Sequence, residues 1–400
     1  MHIAVFSQYH TNPDCPATSR HYSLLAHLAQ SHRVTLITTR TWETQRLTHE
    51  YPWLPAGVEM RASEVPYENK MGVARRVLSF GQYAAYALQE GLRLDRPDVI
   101  WGISTPLTAA WAAAQVAHRR QIPWVFEAQD LWPSFPIAMG AVPTRWAQKR
   151  LYALEKSLYH SARHILPLSP DMSRYVEELG IAKSKITTVL NGTDLNLAAL
   201  ATPATVARLR QEHGLAGKRV ILYAGTFGRA NDIPTLVAAA EQLALTQPEV
   251  VWLFMGLGFH EPLVRAAALR CAAIWVVAPQ PRHAVFAWFR LADISVVSFL
   301  NLPVLDANSP AKFYDSLAVG TPVVVTNQGW TKQLVEQYQC GWYAPAGNAP
   351  ALQQLLAELL SQPEKLAAAG RNGQDLAAAQ FDRRQIAQTI QEILETSAGV

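Results

Sequence analysis

The chain has 400 residues, half of them apolar and 16% charged, which is enough apolar material for two buried cores and excludes a disordered or fibrous polymer. Its net charge of +4 comes from the first 200 residues, which hold 20 Lys/Arg against 16 Asp/Glu. So mild an excess, without interleaved aromatic and basic residues, excludes a dedicated nucleic-acid binder and fits an anionic surface at most.

The three cysteines, Cys15, Cys271 and Cys340, are too scattered for a disulfide framework, and a reducing, cytoplasmic setting is expected. The chain opens on the strand-like HIAVFS with no basic and apolar leader pattern, and no run approaches the roughly 18 apolar residues of a membrane span, so any membrane contact is expected to be peripheral.

After HIAVFS, the residues Tyr22, Leu25, Leu28 and Ala29 recur at helical spacing and VTLITT follows, a βαβ opening. The loop SQYHTNPDCPATS lacks a GxGxxG turn, which disfavours a dinucleotide oxidoreductase. His10, Cys15 and His21 fit no common zinc spacing and read as scattered loop residues. Arg20 closes this loop, either facing a ligand such as an acceptor or lying on a helix surface. The runs DVIWGIS, WVFEA and HILPLS continue the first series. Glu127 and Asp130 sit at the end of WVF, where two carboxylates are costly to bury without purpose; the plain alternative is a solvated loop with a capping aspartate.

Arg145, Lys149, Arg150 and Lys156 share a helical stretch with Trp146, Leu151, Leu154 and Leu158, and Lys70, Arg75 and Arg76 form a second basic cluster. Such a helix suits an anionic membrane surface, or is a domain helix with a basic solvated side. Asn191-Gly192-Thr193 matches a glycosylation acceptor but reads as a turn. The stretch 194–208, DLNLAALATPATVAR, is poorest in strand signals and reads as the linker between a domain at 1–195 and another at 205–380; 381–400 is expected to add an amphipathic helix bearing Ile386, Ile390 and Ile393.

The second series runs VILYAG, VVWLFMG, IWVVA, ISVVS and PVVVT. Two doubly wound parallel α/β domains are expected, facing across a cleft at the carboxyl ends of their strands. GLAGKR, at 214–219, lacks the length and the Ser/Thr of a P-loop. Gly225-Thr226-Phe227-Gly228 follows a strand and precedes a helix, the setting in which backbone N–H groups approach phosphates, and Arg229 adds a planar donor fork. Gly256-Leu257-Gly258 is a third part of such a site or a plain turn, and Val277 brackets a base or packs a core.

In DANSPAKFYDSLAVGTPVVVT, at 306–326, Ser309 and Pro310 suit the cap and first position of a ten-residue helix that Gly320 ends. Its N-terminus suits a diphosphate. Lys312 is either a phosphate contact or a solvated lysine. Asp315, three residues on, accepts ribose hydroxyls or pairs with Lys312. No Asp-x-Asp occurs in the chain.

NSPAKFYDSLAVGTPVV resembles the nucleotide-sugar segment of retaining GT-B glycosyltransferases of family 4. GTFGRANDIPTLVAAA, MGLGFHEPL, LADISVVS and VLNGTDLN agree with that family in order, over nearly the whole chain. FEAQDLWPSFPIAMG is similar to the subgroup that adds N-acetylated amino sugars such as N-acetylfucosamine in bacterial surface polysaccharides. The sequence departs from the family at Ala307, where the first of two glutamates is absent and Asp306 or Asn308 stands beside the gap, and at Asp130, which lies where the family keeps a histidine.

The resemblance implies transfer of a sugar, with retention, from a UDP-linked donor to a glycan or polyprenyl-linked acceptor, without cofactor or metal. Donor contacts would fall to Gly225, Thr226, Gly228, Arg229, Gly256, Val277, Asn308, Ser309, Lys312 and Asp315, charge stabilisation to Ser309, Arg229 and Lys312, and orientation of the acceptor or sugar to Asp130 with Glu127 beside it. A nucleotide-sugar 2-epimerase and a noncatalytic nucleotide-sugar scaffold are the alternatives.

Overall fold

A computed structural model of the chain describes residues 1–68 and 71–400 and divides it into two compact units. The first comprises Met1–Asn191, Ala307–Ser309 and Arg383–Val400, and the second Gly192–Asp306 and Pro310–Asp382. Lys70 of the expected basic cluster lies outside the described residues.

The first unit holds β1 (His2–Phe6), β2 (Arg33–Thr39), β3 (Val58–Ser63), β4 (Val99–Ile103), β5 (Trp124–Ala128) and β6 (His164–Pro167) in one parallel sheet of order β3-β2-β1-β4-β5-β6. The second holds β7 (Arg219–Ala224), β8 (Val250–Met255), β9 (Ile274–Val277), β10 (Ile294–Val297), β11 (Val323–Val325) and β12 (Gly341–Tyr343), in the order β12-β11-β10-β7-β8-β9. Both are doubly wound. In each, the first strand lies next to the fourth, so consecutive crossovers diverge there and leave a crevice beyond the carboxyl ends of those two strands.

The central strands β1, β4 and β5 are buried throughout, because helices cover both faces of a parallel sheet, and this is why they read as unbroken apolar runs. Of the four edge strands, β6 and β9 still read as apolar runs, but β3 and β12 do not. β3 carries Glu59 and Arg61 at exposed positions, and β12 has only three residues, features suited to an edge that must not recruit another strand.

The linker stretch contains a short helix, Leu195–Ala198, and a helix, Pro203–Glu212, capped by the Thr202 hydroxyl, which accepts from the Thr205 N–H. The C-terminal helix Arg383–Ala398 belongs to the first unit. Its Ile386, Ile390 and Leu394 pack with Leu24, Leu25 and Leu28 of the helix Arg20–Leu28, so the chain's last residues complete a core begun by its first. Ile393, expected on the same side, is only partly buried. Among the described residues no helix is long and apolar enough to cross a membrane.

Ile390 is fully buried in that core. Ile390→Ala is expected to destabilise the first unit by about 2–5 kcal/mol. Denaturant unfolding followed in that unit checks this, and a loss under about 1 kcal/mol would mean that the helix contributes little to the core.

Candidate functional site

In the second unit the crevice lies beyond β7 and β10. The loop after β7 carries Gly225, Thr226, Gly228 and Arg229, and a methyl group on Gly225 would come within 2.9 Å of Lys312 Nζ. The sheet therefore brings together two segments that the sequence keeps 87 positions apart (312 − 225). Lys312 stands in the first turn of the helix Ala311–Ala318. Its Nζ is buried, has no hydrogen-bond partner among the described residues, and sits 3.9 Å from the centroid of the Tyr223 ring. Burial brings its pKa down to about 7, since removing an ammonium from water without a counter-ion favours the neutral amine.

The glycines of this loop make room for backbone as well as for Lys312. Gly225, Gly256 and Gly258 have φ of 145°, 153° and 151°, a region that side chains rarely enter. A methyl on Gly256 would lie 1.9 Å from the Gly225 carbonyl oxygen, and one on Gly258 2.8 Å from that of Phe227. The Gly225 N–H donates to the Met255 carbonyl, the Phe227 N–H to Leu257 at 2.8 Å and the His260 N–H to Phe227 at 2.9 Å. The two loops thus extend the β7–β8 pairing past the sheet. Arg229 is exposed, with its guanidinium 3.8 Å above the Phe259 ring, an aromatic that is 57% exposed. Stacking fixes the guanidinium plane while its N–H edges stay available in that plane. Val277 ends β9 and accepts from the Gly256 N–H at 3.4 Å.

The helix entrance differs from the expectation. Pro310 holds the capping position in an extended conformation (φ −75°, ψ 129°), no side chain caps the helix, and it has eight residues rather than ten. Ser309 precedes it, and its carbonyl accepts from the Asn191 amide at 2.9 Å. Asn308 is half-buried beside it, and Asp306 accepts from the Gln328 N–H at 2.9 Å.

Asp315 does not pair with Lys312. It is buried and bound by both terminal nitrogens of Arg282, and Thr193 donates its hydroxyl to Oδ1 at 2.8 Å. Both carboxylate oxygens are thus engaged, so the ribose role expected of Asp315 meets a carboxylate already held by protein.

In the first unit, Glu127 and Arg20 meet. Glu127 is fully buried; Arg20 Nε donates to it at 3.3 Å and Gln129 Nε2 at 2.8 Å, while Arg20 Nη1 donates to the carbonyls of Leu190 and Asn191. Burial pushes the Glu127 carboxyl up, but Arg20 and then His21 pull it further the other way, to about 2. Arg20 is 2% exposed and held in an internal ion pair with Glu127, so it does not lie on the helix surface.

Asp130, three residues on, has the opposite surroundings. Its Oδ2 accepts a 3.3 Å bond from the Thr105 hydroxyl, and burial raises its pKa to about 6. The structure does not gather the zinc candidates: His10 bonds to the Trp53 carbonyl, Cys15 lies against Asn12, and the His21 ring meets Gln129. Tyr223, Phe259, Arg282 and Thr105 were not singled out by sequence. Tyr223 reads as strand core, and nothing local marks the other three.

A family model described as a glycosyl transferase 4-like domain matches residues 17–192, and one described as glycosyl transferases group 1 matches residues 206–376. Spore coat protein SA of Bacillus subtilis is 24% identical over 54% of this chain and 59% of its own length. A putative colanic acid biosynthesis glycosyl transferase, WcaI, of Escherichia coli is 24% identical over 66% of this chain and 67% of its own length. The chain thus spans between about a half and two thirds of these curated relatives. Among solved structures, Anabaena Alr3699/HepE in complex with UDP-glucose superposes with a TM-score of 0.72 at 18% identity, covering 99% of this chain and 100% of that one.

Lys312 binds a proton in the unfolded chain below about 10.5 but in the folded one only below about 7. Its burial therefore costs most at and below pH 7, and the cost fades as pH rises toward 10. Lys312→Met is expected to raise stability over the wild type near pH 7, with the difference shrinking by pH 10. Denaturant midpoints at the two pH values check this, and a difference independent of pH would show that the ammonium is not buried.

Proposed function

Since this chain belongs to the glycosyltransferases, its first half of the 4-like kind and its second of group 1, we propose that it moves a sugar from a nucleoside diphosphate donor to a glycan or lipid-linked acceptor. The observation that carries the proposal is the buried Lys312 ammonium against Gly225, with no partner among the described residues. An anion supplies the missing counter-charge, and the crevice between β7 and β10 is where a doubly wound sheet binds one.

The donor of this reading is UDP-linked, with an N-acetylated amino sugar as the transferred group and surface polysaccharide as the product. The structural neighbour in complex with UDP-glucose supports the UDP-linked donor and the relative named for colanic acid biosynthesis supports the polysaccharide product, while the amino sugar rests on the resemblance of FEAQDLWPSFPIAMG alone. As the glycosidic bond to the diphosphate breaks, negative charge grows on the leaving oxygens. Lys312 and Arg229, already placed, stabilise that charge more than they stabilise the intact donor. Departure and attack on one face give retention, with the leaving phosphate taking the acceptor proton, so no protein nucleophile and no metal ion is called for. Asp130, largely ionised at neutral pH, orients the acceptor hydroxyl or the sugar.

The setting of this reading is the cytoplasmic face of a membrane. The helix Arg145–Ser161 exposes Arg145, Lys149, Arg150, Lys156 and Trp146, the last 70% exposed, while Leu158 faces the core. A basic face with an exposed indole suits an anionic lipid surface.

Arg229→Ala is expected to weaken UDP binding by about 1.5–3 kcal/mol, the worth of a charged hydrogen bond. Calorimetry checks this, and unchanged affinity in a folded variant removes the diphosphate role. A donor panel with lipid-linked sugars as acceptors tests the reaction. A donor epimerised without an acceptor, or bound and left intact in every combination, would overturn transfer.

Asp130→Asn is expected to lower turnover ten- to a hundredfold with donor affinity kept. Wild-type turnover should also fall below about pH 6, as Asp130 takes up a proton. A folded variant with wild-type turnover reduces Asp130 to a loop residue.

A further inference from the structure

The buried Nζ of Lys312, against the Tyr223 ring and Gly225, has no hydrogen-bond partner among the described residues. An ammonium there leaves three N–H donors unmet and gives up the hydration of a full charge. A neutral amine leaves two and gives up far less.

Nothing around the amine offsets that cost. The helix Ala311–Ala318 packs on the helices Arg282–Leu291, Pro363–Gln380 and Leu195–Ala198 and on β10 and β11. The first of these carries Arg282, His283 and Arg290, the second Glu364, Lys365, Arg371 and Asp375, and the other three elements carry no ionisable group. On the helix itself Asp315 is held by Arg282. Tyr223, on β7, is a phenol whose burial raises its pKa, and its hydroxyl donates to the Thr226 carbonyl at 2.8 Å. Arg229 follows the Gly225 loop, and His260, after β8, is lowered by burial first and by Arg229 next. None of these groups moves the Lys312 proton. Burial alone holds its pKa near 7, against about 10.4 for a lysine in water.

The empty crevice therefore holds amine and ammonium in similar amounts at pH 7 and almost wholly amine at pH 8.5. A diphosphate changes that balance. Its oxygens accept from Nζ and supply the counter-charge that the protein withholds, and an opposite charge at hydrogen-bond distance restores the proton affinity that desolvation removes. We propose that the donor's diphosphate brings a proton into the site with it: a proton from water bonds to the lone pair of Lys312 Nζ as the diphosphate seats, and returns to water when the nucleoside diphosphate departs. The inference rests on the transferase reading and adds to it that pH sets donor affinity through Lys312. The fold fixes the place of the charge, and binding completes it.

Calorimetry of UDP binding to the full chain, in HEPES and in Tris at matched pH, counts the proton because the two buffers differ in ionisation enthalpy. The wild type is expected to take up about half a proton at pH 7 and about one at pH 8.5, and its affinity should fall about tenfold per pH unit between pH 8 and 9. The terminal phosphate of UDP, with its second ionisation at about pH 6, and guanidinium groups do not titrate in that range. Lys312→Arg should bind UDP with no uptake and a flat pH profile, since its guanidinium keeps its proton. Lys312→Met is the same control where the larger side chain does not fit: whatever UDP binding remains should carry no linked proton.

Buffer-independent heats at pH 8.5, an affinity that stays level between pH 8 and 9, or an uptake that persists in both variants would overturn the inference. UDP bound without a linked proton leaves the transferase reading standing. A wild type that binds no UDP at any of these pH values overturns that reading, and the inference with it.

Discussion

An ammonium taken out of water with no opposing charge is among the more costly arrangements in a protein interior. Here it organises the second unit. Only a residue without a Cβ leaves Lys312 its place beside β7, the Tyr223 ring beneath offers the electron-rich face of an aromatic, and the neighbouring loop must be glycine at 256 and 258 to lie flat against the first. The floor of the crevice is thus backbone bonded to backbone, held before any ligand arrives, and its charge deficit is built in rather than induced. Preorganised charge of this kind is what the departure of a diphosphate requires.

The first unit treats charge differently. Glu127 and Asp130 stand three residues apart, yet one carboxyl is held near 2 and the other near 6. Arg20 and Gln129 satisfy the first, so it ties a strand end to the loop at 190–191 and is inert toward protons near neutrality. The second has a single 3.3 Å hydroxyl bond and lies within one pH unit of neutrality. Two neighbouring carboxylates are thus driven apart by their surroundings, one held ionised by its partners and the other left able to titrate near neutrality.

Much of this architecture was legible in the sequence, and the parts that were not share a cause. The buried parallel strands declare themselves as apolar runs, whereas β3 and β12, solvated on their outer edges, carry no such signal. The Gly225 loop and Lys312 stood out as local chemistry. What the residues do to each other did not, because their partners come from afar: Arg20 and Glu127 are 107 positions apart, and Arg282 reaches Asp315 from 33 positions away. Ser309 has the composition of a cap, but Pro310 is extended and starts the helix one residue later than local preference suggests. Tertiary geometry assigns such residues their work, and a single sequence does not encode it in any window.

The placement of the helix Arg383–Ala398 in the first unit has a consequence for how the protein is made. A ribosome delivers residues 1–191 long before this helix, so Leu24, Leu25 and Leu28 emerge with no cover for their outward side. The second unit, by contrast, has its entire sheet and the Gly225 loop in hand by residue 343, the end of β12. The domain that starts first therefore finishes last. Its final packing waits for the synthesis of residues 383–398, and any nascent or truncated product lacking them leaves an apolar seam open to chaperones or to its own kind.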